Sequence, residues 1–212
     1  MCGFFFCGPL AGRDAEGRSL FENFHLKLQE NCLFLLDGPS GSGKSTLLRK
    51  IAGLDEAPGA ERMLKSEEYP GTRMPEWRAQ VSLMSQDAPI LEGAVERNLD
   101  FPYGFRVARE LSFDRKRAEE LMSRVGLGDI PLSRNASTLS GGERHRLGLI
   151  RALLWDPPVL LADEPLSGLD GARAEDCFQL LLDFAHRPGH AVLCVLHDAA
   201  LGRTADELIK IG

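Results

Sequence analysis

The chain of 212 residues lacks the features that mark membrane-spanning, disulfide-bonded and nucleic-acid-binding proteins. It contains no stretch of about 18 or more uncharged apolar residues, so we do not expect it to cross a bilayer by itself. Its five cysteines include no C-x-x-C pair, which argues against a zinc site and a disulfide framework. Lysine and arginine number 25 against 31 acidic residues, and the net charge of −6 argues against a nucleic-acid partner.

The sequence also lacks internal repeats, low-complexity tracts and a basic segment ahead of its apolar start, Gly3–Cys7. These first residues therefore favour a β-strand over a signal peptide. Hydrophobic residues make up 43% of the chain and charged residues 26%, which is typical of a folded globular protein with one core.

One stretch, Gly38–Thr46, fits the phosphate-binding pattern G-x-x-x-x-G-K-[ST] at every fixed position. The apolar run Cys32–Leu36 before it predicts a buried parallel strand, and Thr46–Ile51 after it predicts a helix start. Backbone N–H groups of such a loop point into one hollow that also receives the positive end of the helix dipole. The residues expected to bind a nucleotide here are Gly38, Ser40, Gly41, Gly43, Lys44, Ser45 and Thr46.

Two of these side chains differ in chemistry and are therefore expected to bind different groups. The Lys44 ammonium should reach the β- and γ-phosphates, and the Ser45 hydroxyl should ligate Mg²⁺. A chance match of a glycine-rich turn is the alternative, and the strand–loop–helix context disfavours it.

Two acids follow a second apolar run, Val159–Ala162. In open α/β sheets ligands bind at the carboxyl ends of the strands, where Asp163 and Glu164 would emerge. Asp163 would hold Mg²⁺ through water, and Glu164 would polarise the water that attacks the γ-phosphate. A strand end with solvated acids is the alternative, and the phosphate loop elsewhere in the chain favours the first interpretation.

The segment Leu139–Glu143 predicts a helix start with an unusual feature. Ser140 and Glu143 form the pattern of a capping box, which needs no glycine. Gly141 and Gly142 lower helix stability, but they let a phosphate approach bare backbone. The pattern therefore indicates a second phosphate-binding helix terminus, far from the first in sequence.

Together these motifs resemble the nucleotide-binding subunits of ABC transporters over nearly the whole chain. The motifs follow that family's order: phosphate loop Gly38–Thr46, glutamine loop Gln86, signature Leu139–Glu143, acidic strand end Asp163–Glu164, D-loop Ser167–Asp170 and switch histidine His197. The resemblance implies an ATPase that uses ATP and Mg²⁺ and powers a separate integral membrane permease from the cytoplasmic face of the membrane, as a peripheral subunit.

The resemblance also implies a homodimer that forms on ATP binding. The signature of one copy, Ser140, Gly141, Gly142 and Glu143, would close on ATP held by the other copy's phosphate loop, giving two equivalent sites. The family's catalytic positions match Glu164, His197 and Lys44, and its Mg²⁺ ligands match Ser45, Gln86 and Asp163. Asp170 would add a contact across the dimer, although alone it is equally explained as a helix N-cap.

The expected fold is an α/β P-loop NTPase with a mostly parallel core sheet, a small N-terminal antiparallel β part and a helical subdomain that bears the signature. The chain would form a single domain, 1–212. Residues 1–86 and 156–212 would form a RecA-like core with the β subdomain, and 87–155 the helical subdomain.

Two departures from the family pattern bear on nucleotide binding. The family stacks adenine on an aromatic residue that would fall near Ala15, but the segment Arg13–Gly17 contains none. We therefore expect weaker or less base-selective binding, with Arg13 as a substitute. His145 stands where the family usually has glutamine, which puts a ribose contact from the partner subunit in doubt, and it is otherwise expected to be a surface or packing residue.

Finer predictions concern the type of transporter and the connecting segments. Val95–Pro102 is similar to the ATP-binding subunits of small bacterial exporters assigned to iron, the FetA-like type. Pro89–Leu91 should help line the groove that receives the permease. The segments Gly8–Gly17 and Glu67–Pro75 are expected to be loops, and Gly93–Val125 is expected to be helical.

Two other functions account for less of the sequence. A soluble ABC protein acting on DNA would carry a long coiled-coil insert, but only about fifty residues separate Gln86 from Ser140, without sustained heptads. A ribosome-acting member would carry two such domains. A P-loop kinase would leave the signature and the D-loop unexplained.

Overall fold

The computed structural model describes residues 4–87, 89–196 and 199–211. A four-stranded antiparallel sheet has the order β2-β1-β4-β5, with β1 at Phe5–Arg13, β2 at Ser19–Leu28, β4 at Glu61–Leu64 and β5 at Glu67–Glu68. A five-stranded sheet has the order β6-β7-β8-β3-β9, with β3 at Cys32–Asp37, β6 at Val81–Met84, β7 at Val159–Asp163, β8 at Ala191–Val195 and β9 at Glu207–Lys210. All neighbouring strands of this second sheet run parallel.

Helices connect the parallel strands. Their bounds are α1 Lys44–Ile51, α2 Met74–Gln80, α3 Val95–Asp100, α4 Arg115–Arg124, α5 Gly141–Trp155, α6 Gly171–Ala185 and α7 Ala199–Gly202. None of the helices in the described ranges combines the length and apolar character that a bilayer crossing requires.

Burial explains why the central strands are unbroken apolar runs in the sequence. Every residue of β7 and β8 is buried, because helices and the antiparallel sheet cover both faces of the parallel sheet. One hydrophobic cluster joins one face of the sheet to α3, α4, α5 and α6, and the other joins the opposite face to α1 and the antiparallel sheet. The predicted α/β fold, with a parallel core sheet and a small N-terminal antiparallel part, is confirmed.

The carboxyl ends of the parallel strands meet at one edge, because the strands share a direction. The phosphate loop follows β3, Gln86 follows β6 and Glu164 follows β7 at that edge. Three segments that are distant in sequence are thus brought together by topology alone.

Three predictions about connecting segments are wrong. The expected loop Gly8–Gly17 is strand up to Arg13, since the side chain of Leu10 is buried and irregular pairing with β2 accommodates the glycines and proline. The expected loop Glu67–Pro75 contains β5 and the start of α2.

The segment Gly93–Val125 is helical only at its two ends. Two short 3₁₀ turns lie between α3 and α4, and Leu111 is exposed there rather than on a buried helix face. The sequence analysis also missed β9, because an edge strand with mostly exposed side chains has no apolar run to reveal it.

Candidate functional site

The predicted phosphate loop connects the end of β3 to the start of α1. Gly38 packs closely against the C-terminal segment, since a Cβ built on it would fall 2.4 Å from the Ile211 carbonyl oxygen. Gly43 has a φ of 92°, in the left-handed region, and a Cβ there would fall 3.1 Å from Leu20. Both positions therefore require glycine, and they set the curvature of the loop.

Lys44 begins α1 and folds back over this loop. Its Nζ donates to the carbonyl oxygens of Gly38, at 2.7 Å, and Pro39, at 3.1 Å. The buried hydroxyl of Ser42 has no hydrogen-bond partner among the described residues. An ammonium group, a helix N-terminus and two glycine turns can bind a polyphosphate here.

The other residues predicted to bind the nucleotide are accessible. Ser40, Gly41 and Ser45 are exposed, and Thr46 is half-buried at the first turn of α1. Their N–H and hydroxyl groups can therefore exchange water for phosphate oxygens without a change in the core.

Two carboxylates lie at the end of β7. Asp163 is buried, and Glu164 follows it with a φ of 51°, a left-handed conformation that residues other than glycine rarely adopt. Gln86, two residues after β6, donates from Nε2 to Glu164 Oε2 at 2.8 Å. Because β6 and β7 are parallel neighbours, the structure brings these two predicted residues into direct contact across 78 positions.

The side chains expected at Mg²⁺ fit that ion chemically. Ser45, Gln86 and Asp163 offer hydroxyl, amide and carboxylate oxygens, and hard oxygen ligands are what Mg²⁺ prefers. The described residues contain no cluster of three or more His, Cys, Asp or Glu that could hold a metal ion. The protein would therefore supply part of the coordination, with phosphate oxygens and water supplying the rest, as is common for Mg²⁺.

The predicted signature forms the start of α5 with a complete capping box. Ser140 Oγ accepts from the Glu143 N–H at 3.3 Å, and Glu143 Oε2 accepts from the Ser140 N–H at 2.7 Å. The hydrogen bond from the Ser140 backbone holds the pKa of Glu143 below its usual value. The signature's serine and glutamate thus have a structural task within one chain.

The two glycines of the signature have no such task. Apart from its chain neighbours and the nearby backbone of α5, no atom of the described residues lies within 4 Å of a Cβ built on Gly141. A Cβ on Gly142 would make only ordinary contacts, at 3.5 Å to Arg146 and to Leu169. Neither glycine has a positive φ. Packing within the chain therefore does not explain why helix-destabilising residues stand at the first two positions of α5.

Asp170 caps the next helix, since its Oδ1 accepts from the Arg173 N–H at 3.1 Å. This is the structural alternative considered for Asp170, and it leaves the second carboxylate oxygen for other contacts. His197, the predicted switch histidine, lies outside the described residues, so its role stays a prediction.

A contact of His145 could not be predicted from its motif. Its Nε2 lies 2.8 Å from the carbonyl oxygen of Pro165, the residue after Glu164. The only sequence signal was the unusual histidine in a position where glutamine is expected. Two other histidines pair with aspartates at the surface, His186 with Asp206 at 2.9 Å and His190 with Asp156 at 3.4 Å.

The β1–β2 turn, where the family places its adenine-stacking residue, is closed by polar contacts. Asp14 pairs with Arg18 at 2.7 Å, which holds the pKa of the Asp14 carboxyl below its usual value, and Arg13 Nη1 donates to the Gly17 carbonyl at 2.9 Å. The side chains of Leu20 and Phe21 lie beside Gly43 of the phosphate loop, 3.1 and 3.2 Å from a Cβ built on that residue.

A groove of about 990 Å³ lies between α2, β6, residues 102–109 and α5. Its charged lining residues are Arg78, Arg106, Arg109, Arg151 and Glu76. Large apolar side chains that are 44–52% exposed lie in or beside it at Phe101, Phe105, Val107 and Leu111. The groove is therefore both basic and apolar, in a chain whose net charge is −6.

Pro89–Leu91, expected to line a docking groove, lie beside this one instead. Arg151 of the groove donates to the Pro89 carbonyl at 2.9 Å, and burial lowers the pKa of its guanidinium. Asn98, fully buried, holds both the N–H and the carbonyl of Leu91, at 2.7 and 3.0 Å. Arg151 and Asn98 thus hold the backbone of Pro89 and Leu91 next to the groove, and their part in receiving the permease stays a prediction.

Comparison with known proteins gives a consistent picture. A family model described as ABC transporter matches residues 21–167. The lipoprotein-releasing system ATP-binding protein LolD of Idiomarina loihiensis is 33% identical, with 92% of this chain and 87% of that protein covered. The probable iron export ATP-binding protein FetA of Escherichia coli is 33% identical (96% and 88% covered). The phosphonates import ATP-binding protein PhnC of Nitratidesulfovibrio vulgaris is 34% identical (89% and 75% covered).

Solved structures agree with these relatives. A dimeric ATP-binding cassette in a post-hydrolysis state, bound to ADP and Pi, superposes with a TM-score of 0.82 at 25% identity, covering 98% of this chain and 94% of that one. A dimeric bacterial ABC transporter cassette gives a TM-score of 0.80 at 26% identity, with the same shares covered.

Proposed function

Since the chain belongs to the ABC transporter family and is an ATPase, we propose that two copies close around ATP and drive a separate membrane permease. One observation carries the link to a permease: Gln86 lies two residues after β6, which lines the groove, and its amide contacts the Glu164 carboxylate. A movement of β6 in the groove can therefore reach that carboxylate through the short backbone segment up to Gln86 and one hydrogen bond.

In the proposed site, the nucleotide triphosphate lies on the loop between β3 and α1. Its phosphates accept hydrogen bonds from the backbone N–H groups of Gly41 and Gly43. They also contact the N–H and hydroxyl groups of Ser40, Ser45 and Thr46. Lys44 exchanges its carbonyl partners at Gly38 and Pro39 for the β- and γ-phosphates, a stronger, charge-assisted interaction.

Hydrolysis needs a group that takes up the proton of the attacking water. Glu164 is placed for this task at the end of β7, and Gln86 holds one of its oxygens. Ser45, Gln86 and Asp163 would hold Mg²⁺, which would neutralise charge on the phosphate oxygens. We propose His197 as a further contact of the γ-phosphate, on family resemblance alone.

The dimer explains the otherwise unexplained glycines of the signature. If the start of α5 closes on the partner's ATP, bare backbone at Gly141 and Gly142 lets phosphate oxygens approach the N–H groups and the positive end of the helix dipole. Asp170, at the start of α6, would contribute a second contact across the same interface. Both ATP sites are then incomplete without the partner copy.

We propose that the groove receives a cytoplasmic segment of the permease. Its exposed apolar side chains would be buried by a bound partner. Its lining contains four arginines and one glutamate, so its positive charge is complementary to a helix that carries acidic residues. Residues 87–155 act as a helical subdomain that passes closure of the dimer to this segment, while 1–86 and 156–212 hold the nucleotide. The subunit would thereby be held peripherally at the cytoplasmic face of the membrane.

For the transported substrate we propose a metal ion that is exported, as the name of the iron-export relative FetA indicates for that protein. The support is the Val95–Pro102 segment alone, since identity to the lipoprotein and phosphonate subunits is equally high. Asn98 of that segment closes an internal loop, so this part of the pattern is structural. Ferrous iron should stimulate ATP hydrolysis by the subunit–permease complex, and stimulation only by lipoprotein or phosphonate would refute metal export.

The Glu164→Gln variant tests the central proposal. It keeps the side chain's size but removes the proton acceptor, so it should bind ATP, fail to hydrolyse it and accumulate a dimer that light scattering detects. Glu61→Gln, at an exposed position of β4, is the matched control and should behave as the wild type. If Glu164→Gln binds ATP and stays monomeric, closure around ATP is wrong.

A further inference from the structure

The start of α5 and the loop after β7 are joined by His145. Its Nε2 lies 2.8 Å from the Pro165 carbonyl oxygen, and because a carbonyl only accepts, this nitrogen carries the hydrogen. The imidazole is half-buried, on the second turn of α5. The bond therefore crosses between two elements that sequence separates by 20 residues.

Pro165 follows Glu164, whose backbone is in the left-handed region. A residue other than glycine keeps such a conformation only where its surroundings hold it. One local contact within the turn is the bond from the Ser167 N–H to the Glu164 carbonyl, at 3.1 Å. His145 adds a longer-range restraint at the very next carbonyl, so it helps to fix the direction in which the Glu164 side chain leaves the backbone.

The same two elements also lie close together at the first turn of α5. A Cβ built on Gly142 would fall 3.5 Å from Leu169 Cδ2, so the backbone of the signature's second glycine is near the loop that starts at Glu164.

From this geometry we propose that His145 is a positioning residue for Glu164 and that it links the two ATP sites of the dimer. The inference rests on the proposed function: the tip of α5 meets the partner's ATP, while Glu164 acts on the ATP of its own chain. Engagement of α5 at one site then orients the carboxylate at the other through the Pro165 carbonyl. His145 itself touches neither nucleotide.

The test compares His145→Leu with His145→Gln in the full-length chain. Leucine fills similar space without a donor, whereas the glutamine amide can donate to the same carbonyl. The His145→Leu variant should lower kcat for ATP about tenfold, the effect of one lost hydrogen bond in the transition state, and leave KM within about twofold. Its Hill coefficient for ATP should fall towards 1 from a wild-type value above 1.

Rescue distinguishes positioning from general stability. The His145→Gln variant should restore kcat and the Hill coefficient to near wild-type values. The matched control is His186→Leu, which also removes one histidine hydrogen bond, to Asp206 at 2.9 Å, at a distance from the site. It should leave both quantities unchanged. If His145→Leu does not fold, His145→Ser, whose hydroxyl is too short to reach, replaces it.

The outcomes separate this inference from the proposed function. An unchanged kcat in the donor-less variant, or failure of glutamine to rescue it, would overturn the positioning role. A wild-type Hill coefficient of 1 would overturn the link between sites. In both cases ATP-dependent dimerisation of Glu164→Gln would still stand, whereas its loss would remove the proposed function itself.

Discussion

Replacing Gly141 with alanine should raise the stability of the protein and lower its activity. Gly141 is the first residue of α5, and its φ is not positive. Apart from its chain neighbours and the nearby backbone of α5, no atom of the described residues lies within 4 Å of a built Cβ. The methyl group therefore meets no obstacle inside the chain. Alanine is favoured over glycine in a helix, so the free energy of unfolding should rise by about 0.5 kcal/mol.

Such a gain is measurable in a protein of this size. For a chain of about 200 residues it corresponds to an increase in Tm of roughly 1–2 °C, which calorimetry without nucleotide resolves. Gly171→Ala is the matched control, because Gly171 is the first residue of α6 and has equally open surroundings. It should give a similar increase in Tm.

Activity should change in the opposite direction. In the proposed closed dimer the Gly141 methyl group would stand between the helix tip and the partner's phosphates. One charge-assisted hydrogen bond to phosphate would be lost or lengthened, which costs about 1.5–3 kcal/mol and lowers kcat about 10- to 100-fold. ATP binding to the monomer should be unaffected, since the phosphate loop is far from Gly141 in the sequence and is built from other elements.

The measurements are Tm without nucleotide, ATP binding by equilibrium dialysis, and ATP turnover at saturating ATP. Gly171→Ala should keep its turnover within about twofold of the wild type. If Gly141→Ala turned over ATP at the wild-type rate, bare backbone at the helix tip would be unnecessary and no phosphate would approach it. If it lowered Tm, a contact inside the chain would explain the glycine instead.

The remaining predictions concern four other regions. Lys44→Ala should lose ATP turnover by at least about 100-fold with little change in Tm, because its present partners are only carbonyls of its own loop. With no aromatic near Ala15, equilibrium dialysis should give Kd values for ATP and GTP within about threefold of each other; a strong adenine preference would contradict this. Phe105→Glu should release the permease from the purified complex, whereas Leu208→Glu, exposed on β9, should retain it. Burial raises the pKa of Cys194 to about 12, so maleimide at pH 7 should modify it only after unfolding.

Sequence alone predicts the elements whose signal is local. β7 is recognised because both faces are buried and four apolar residues follow one another. The start of α5 is recognised because the Ser140–Glu143 capping box lies within four residues, and the structure has both of its hydrogen bonds. In each case the residues that determine the element are the residues of the element itself.

Features that depend on distant partners could not be predicted in this way. β9 is an edge strand, and only its pairing with β3 defines it. β1 continues through Gly8–Arg13 because the Leu10 side chain is buried and because this part of the strand pairs with β2. The groove combines α2, β6 and α5, which no single window of sequence contains.

The candidate site also combines features that a local motif predicts with features that depend on distant partners. The type of each side chain follows from its motif, but the contact of Gln86 with Glu164 requires β6 and β7 to be neighbours, which only the strand order decides. His145 is the clearest case: as a departure from the family's glutamine it suggested a lost contact to the partner, whereas in the structure it makes a bond within the chain.

These contacts converge on two adjacent residues. The carboxylate of Glu164 receives the Gln86 amide at the end of the strand that lines the groove, and the carbonyl of Pro165 receives His145 from the signature helix. A change at the groove and a change at the helix tip therefore act on one turn, whose left-handed backbone has few conformations available. In the proposed dimer, coupling between transport and hydrolysis requires no long pathway through the core. Gln86, two residues after the strand that lines the groove, and His145, on the helix that starts with the signature, each contact that turn.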